Sequence, residues 1–233
     1  MGSAIENSFS EFKKSGRERF IVALSGASMI SILSDVIPSI SSLSGEDWQS
    51  WRLFFVDERL VPFDGEESTY GGYQRKLIPK SDHLSLHQFI AIDPSQSPAD
   101  CAADYEQKLR VHVQAKSSTG FGIIDLILLG FGPDGHVGSL FPGHSLLKEK
   151  TKWIASITDS PKPPPTRVTF TLPLINSAAD ILVLGTGASK QPIVHKVFVG
   201  HDHSLPVNMV STSTGRKVVW IIDQEAGRLI AND

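Results

Sequence analysis

The chain has 233 residues, 40% of them hydrophobic and 20% charged, and a net charge of −3 at pH 7. That length suffices for one α/β domain with a full core, and the slightly acidic balance, without a long Lys/Arg cluster, lacks the electrostatic footprint of a nucleic-acid binder. One cysteine, Cys101, rules out an intrachain disulfide framework, no apolar run approaches the roughly 18 residues of a membrane span, and the opening MGSAIENSFSEFKKSG has no signal-type apolar core; the expectation is a cytoplasmic protein with no nucleic-acid or membrane partner.

Residues 1–19 are expected to form a helical or partly disordered N-terminal segment, ahead of a single α/β domain over 20–233. Along that domain, short β-branched or aromatic runs recur, each ending in Gly, Asp or Ser: RFIVALSG, WRLFFVDER, QFIAID, IIDLILLGFG, WIASITD, RVTFTL, DILVLGTG and VVWIID. Between them the spaced apolar residues of 28–37, 99–113 and 189–198 predict helices, and Cys101 falls on the second of these as a buried structural thiol. Apolar strands alternating with helices predict a single doubly wound, mostly parallel sheet flanked by helices, Rossmann-like in plan. The PKPPPTR segment at 161–167 reads as a stiff connection.

Ligands of such sheets bind beyond the carboxyl ends of the strands, so the loops that follow each run are the places to search. In LSGAS, Ser25-Gly26-Ala27-Ser28 leads into a helix; it reads either as an ordinary capped turn or as a phosphate cradle of backbone N–H groups. VDER puts Asp57, Glu58 and Arg59 at a strand end, where the arginine can clamp a phosphate oxygen, although such triplets are commonly solvated ion pairs. GTGASK lacks the third glycine of a dinucleotide fingerprint and the spacing of a Walker loop, which leaves Lys190 as a residue able to reach a phosphate.

The stretch GFGPDGHVGSLFPGH, 130–144, is the most informative. Gly130, Gly132 and Gly135 permit backbone shapes closed to other residues, Pro133 and Pro142 stiffen the flanks, and Asp134 stands two positions before His136. Such a loop fixes an imidazole, which points to a functional His136, while His144 reads as structural or as a rim residue. Neither this loop nor HDH at 201–203 offers the ligand set of a catalytic metal, so no metal and no cofactor is expected.

SGAS, VDERLVP, GFGPDGHVGSLFPGH, KPPPTRVTFTLPLIN and GTGASK together resemble, in order and spacing, the 6-phosphogluconolactonase family, from about Phe20 onward. Glucosamine-6-phosphate deaminases share the sheet and a related histidine loop, but the continuation VGSLFPG and the proline-rich segment resemble the lactonases. The resemblance implies hydrolysis of 6-phospho-D-glucono-1,5-lactone, a small phosphorylated sugar lactone, to 6-phosphogluconate in the oxidative pentose phosphate pathway. It implies His136 as general base, Asp134 as its orienting partner, and a phosphate held near Ser25, Gly26, Ala27 and Ser28 with Arg59 and Lys190, Arg167 being a further substrate contact. With no Gly-x-Ser-x-Gly elbow in the chain, direct attack by water is favoured over an acyl-enzyme. A deaminase-like isomerase and a non-catalytic sugar-phosphate binder are the rival readings.

Three departures from the family pattern stand out. Ala27 replaces a glycine, Ser68-Thr69 stands where many members have Ser-Asn, and only nineteen residues precede Phe20, which predicts a shortened sheet edge. Gly26 is expected to take the difficult backbone angle, leaving Ala27 at φ below zero.

Overall fold

The computed structural model describes residues 1–231 and contains eight strands: β1 Phe20–Leu24, β2 Trp51–Phe55, β3 Asp57–Arg59, β4 Leu126–Gly130, β5 Ile154–Ile157, β6 Arg167–Phe170, β7 Asp180–Gly185 and β8 Val219–Ile222. Five of them form an all-parallel sheet in the order β2-β1-β4-β7-β8. Its central strands are apolar on both faces because both faces are covered. Phe20, Val22, Leu24, Leu126 and Leu128 face one cluster, and Ile21, Ala23, Ile127 and Leu129 face the other.

Helices α1 (Gly2–Lys14), α2 (Ser28–Val36), α3 (Gly45–Gln49) and α4 (Thr69–Lys76) supply the first cluster with Ile5, Phe9, Met29, Leu33, Trp48 and Tyr73. Helix α5 (Pro98–His112), the short α6 (Leu172–Ile175) and α7 (Gln191–Phe198) cover the other face, with Cys101, Tyr105 and Leu109 of α5 buried in it. Residues 2–14 are helical rather than disordered, because Ile5, Phe9 and Phe12 recur at helical spacing and bury on the sheet. Phe9 and Phe12 each lie 5.1 Å from the Phe20 ring.

The expected parallel sheet is present, but three of the strand-like stretches leave it. β3, β6 and β5 form a separate antiparallel sheet, with Asp57 opposite Thr169 and Arg59 opposite Arg167. The hinge is Val56: its N–H donates to Leu24 of the large sheet at 2.9 Å, and its carbonyl accepts from Phe170 N–H of the small one at 2.7 Å. QFIAID is not a strand. It makes one bridge, Phe89 to Leu53, with Ile90 N–H donating to the Leu53 carbonyl at 2.8 Å, before the chain turns away at Pro94.

The strand order places the switch point between β1 and β4. From β1 the chain proceeds to β2 on one side; from β4 the next strand of this sheet, β7, lies on the other, so the loops leaving β1 and β4 diverge and open a crevice at their carboxyl ends. Those two loops are SGAS and the glycine–histidine stretch.

Candidate active site

The loop after β1 is tied to its neighbour. Ser25 Oγ accepts from Gly130 N–H at 3.0 Å, and the Ser25 carbonyl accepts from the buried Tyr73 hydroxyl at 2.7 Å. Ala27 precedes α2 at φ 54°, ψ −128°, which overturns the expectation of a negative angle. Gly26 does not take the positive φ; it is needed for space, because a Cβ there would sit 2.7 Å from Thr69 Oγ1. Among the described residues, the N–H groups of Gly26, Ala27 and Ser28 have no protein acceptor, which leaves a row of donors at the positive end of α2.

The loop after β4 is folded around its histidine. Gly132 N–H donates to the His136 carbonyl at 2.8 Å, and Gly135, at φ 85°, closes the turn through Gly135 N–H to the Gly132 carbonyl at 3.0 Å. A Cβ on Gly132 would fall 2.1 Å from His136 Nδ1, so the imidazole occupies the space that this glycine leaves. His136 Nδ1 lies 2.5 Å from Asp134 Oδ1, and the ring packs 4.7 Å from the Phe141 ring. A contact of that length to a carboxylate is made with the proton on Nδ1, and in the neutral ring that tautomer leaves the lone pair on Nε2. Burial holds the His136 pKa below its ordinary value; Asp134 pulls it up and the Lys162 charge pushes it down. Burial alone would raise the Asp134 carboxyl, but its bonds to His136 and Lys162 bring it below the usual range.

A cavity of about 270 Å³ opens between these loops, and its wall carries His136 with Arg59, Arg167, Lys162 and Lys190. Ser25, Gly26, Ala27 and Ser28 line it too, so every sequence-derived site residue except Asp134 meets there; Asp134 is joined to it through its bond to His136. The VDER acids are buried rather than solvated. Asp57 is 6% exposed, accepts from Ser139 Oγ at 2.8 Å and lies 3.9 Å from Arg59 and 3.8 Å from Arg167. Glu58 turns away to cap α4, accepting from Thr69 N–H at 2.8 Å and Tyr70 N–H at 2.7 Å; burial raises its pKa.

Arg59 also donates to the Glu67 carbonyl at 2.9 Å, while among the described residues its Nε has no hydrogen-bond acceptor. Arg167 spends Nε on the Pro164 carbonyl at 3.0 Å and Nη2 on the carbonyls of Lys162 and Pro163 at 2.8 and 3.1 Å, so what it offers the cavity is chiefly charge. Lys190 reaches across to the Phe131 carbonyl. The helix start before it does not offer Gly187 N–H to a ligand, because Asp223 already accepts that N–H at 2.9 Å. His144 is structural: its Nδ1 caps residues 145–148 by accepting from Leu146 N–H at 3.2 Å. Sequence reasoning missed Lys162 and Asp57; the lysine sits in the proline run read as a connector, and only its place inside the KPPPTR motif pointed to it.

The fold and the site define a class: a doubly wound α/β protein whose switch-point cavity joins a histidine–carboxylate pair to several cations, the equipment for proton transfer on a small anion. The chain belongs to the glucosamine-6-phosphate isomerase/6-phosphogluconolactonase family, whose model matches residues 3–220. The 6-phosphogluconolactonase of Rattus norvegicus is 43% identical over 92% of this chain and 82% of its own length, and that of Homo sapiens 42% identical over the same shares. Among solved structures, 6-phosphogluconolactonase from Trypanosoma cruzi superposes with a TM-score of 0.77 at 26% identity, covering 97% of this chain and 90% of its own.

Proposed function

We infer that this chain hydrolyses 6-phospho-D-glucono-1,5-lactone to 6-phosphogluconate with His136 as general base. The observation that carries the reading is the His136–Asp134 pair, closed at 2.5 Å, whose imidazole stands on the wall of a cavity that also bears four cationic side chains. Nε2 takes a proton from water as the water oxygen attacks the lactone carbonyl; the ring C–O bond then breaks, and the proton passes to the departing ring oxygen. Asp134 stabilises the imidazolium between these steps. The cations favour the oxyanion of the tetrahedral intermediate, and the free N–H groups of residues 26–28, with Arg59, suit the phosphate. Lys190, Arg167 and the Ser25 and Ser28 hydroxyls complete the binding wall.

The deciding experiment is lactone turnover measured against the spontaneous reaction. Acceleration over the blank supports the reading, and its absence sinks it. Incubation with glucosamine 6-phosphate and an ammonia assay tests the isomerase branch of the family; the identities to lactonases support a negative result there. The reading extends to a cytoplasmic place in the oxidative pentose phosphate pathway, feeding the NADPH-yielding step that consumes 6-phosphogluconate. It is supported by the relatives' activity and by a free, buried Cys101, and cell fractionation tests the location. Residues 20–233 are read as one domain on which α1 docks, with limited proteolysis as the check.

A further inference from the structure

We propose that Lys162 is a positioning residue for the reaction inferred above: with its backbone held by Arg167, its ammonium fixes Asp134 as the acceptor of the His136 Nδ1 proton and opposes formation of the imidazolium, so that His136 presents an unprotonated Nε2. The proposal rests on the lactonase reading for its purpose, but not for its geometry. Lys162 Nζ lies 3.2 Å from Asp134 Oδ1 and 3.3 Å from His136 Nδ1, while Nδ1 and Oδ1 are 2.5 Å apart. The three polar atoms form a triangle in which only Oδ1 is an acceptor. Nδ1 carries the proton given to Asp134, so the ammonium cannot donate to the ring; it donates to the carboxylate and faces the ring as a bare charge.

The lysine is placed by its main chain. Lys162 N–H donates to Ser160 Oγ at 3.2 Å, and the Lys162 carbonyl accepts from Ser160 Oγ at 2.8 Å and from Arg167 Nη2 at 2.8 Å. Arg167 is 2% exposed and also holds the next two carbonyls, so the proline run is pinned at three successive residues. A buried arginine that spends its donors on one loop fixes whatever that loop presents. Here it presents an ammonium to the base.

Charged groups surround His136 from several elements. Asp134 on its own loop and Asp57 at the start of β3 favour the imidazolium, Lys162 disfavours it, and burial disfavours it most. Lys190 faces the same corner, where its own charge feels Lys162 and Asp134, and Arg59 and Arg167 flank Asp57. Lys162 is thus the cation in direct contact with the ring. Its purpose would be to keep the base unprotonated in mildly acid conditions while Asp134 preserves the tautomer.

If the Lys162 side chain instead swings freely in solution, without holding its contacts to Asp134 and His136, removing its charge leaves the imidazole's titration where it is. The test therefore reads the titration directly, by NMR of the ¹⁵N-histidine-labelled protein, assigning His136 with His136→Gln and comparing wild type with Lys162→Met and Lys162→Arg. Removing a unit charge 3.3 Å from Nδ1, screened as in water, should raise the His136 midpoint by about one pH unit, and the arginine variant should return it to within a few tenths. The acid limb of kcat/KM should move with it, whatever happens to KM. An unmoved or lowered midpoint in Lys162→Met overturns the proposal. Circular dichroism checks folding, and Lys162→Gln makes the same comparison if the methionine variant does not fold. The NMR titration needs no turnover, so failure of the lactonase reading would show separately, as a wild type that does not outpace spontaneous hydrolysis.

Discussion

Replacing Ala27 with glycine is expected to stabilise the protein by about 1 kcal/mol. Ala27 is held at φ 54°, ψ −128°, and Met29 N–H donates to the Gly26 carbonyl at 3.3 Å, so residues 26–29 make a turn of type II′ shape whose first central position favours glycine. An L-residue kept in such a region costs on the order of 1–3 kcal/mol. Glycine gives back roughly 0.4–1 kcal/mol through the freedom of the unfolded chain. The balance, in a domain of this size, raises Tm by roughly 2–4 °C. Because the backbone already has the shape glycine would adopt and the Ala27 side chain is exposed, the N–H donors need not move, and kcat/KM should stay within about tenfold, or ~1.4 kcal/mol. Thermal unfolding and lactone turnover of the two proteins measure both quantities. An unchanged or lower Tm refutes the strain argument, and a gain far beyond tenfold would show that alanine distorts the phosphate loop and that this chain is a weakened catalyst.

Further outcomes follow from the same geometry. His136→Ala should keep its fold and lose a factor on the order of 10² to 10⁴ in kcat/KM; equal turnover would remove the residue from the mechanism. Since the base acts when neutral and burial holds its pKa below the ordinary value, kcat/KM should fall on the acid side with a midpoint below about pH 6.5; a midpoint above that pH contradicts the burial argument. Among the described residues no three His, Cys, Asp or Glu side chains converge as metal ligands, so activity should survive exhaustive chelation, and loss reversed by added metal would overturn this. Gly26→Ala should lose both stability and activity by pressing on Thr69, and Thr69→Ala in the same chain should recover much of the loss; equal deficits in the single and double variants would deny the contact.

The parallel sheet was legible because FIVAL, LILLG and DILVLG bury on both faces, and a strand buried on both sides announces itself by continuous apolar sequence. The small sheet was not. β3 is the charged tripeptide Asp57–Arg59, and nothing local distinguishes it from the end of β2; its identity as a strand comes from β6, more than a hundred residues away. That break at Val56 also explains why the VDER acids were misjudged. A loop at a strand end would expose them, whereas a strand of a second sheet buries Asp57 between two arginines and turns Glu58 to the end of α4.

His136 and Asp134 were readable because their constraint is local: the glycines that make room for the imidazole lie within a few residues of it. Lys162 was not, because its constraint is a meeting of two loops, and its sequence neighbours are prolines that advertise stiffness alone. The error at Ala27 has the same origin. From the chain alone, one glycine beside one alanine invites the assumption that the glycine supplies the unusual angle. In the fold the two positions have different tasks: Gly26 is small because Thr69 Oγ1 would stand 2.7 Å from its Cβ, and position 27 turns the chain so that its N–H groups face the cavity. A contact with Thr69 cannot be inferred from the tetrapeptide, so neither can the division of labour. Alanine at position 27 therefore keeps the donor geometry at an energetic cost within the reach of an ordinary core, whereas a side chain at position 26 would press directly on Thr69.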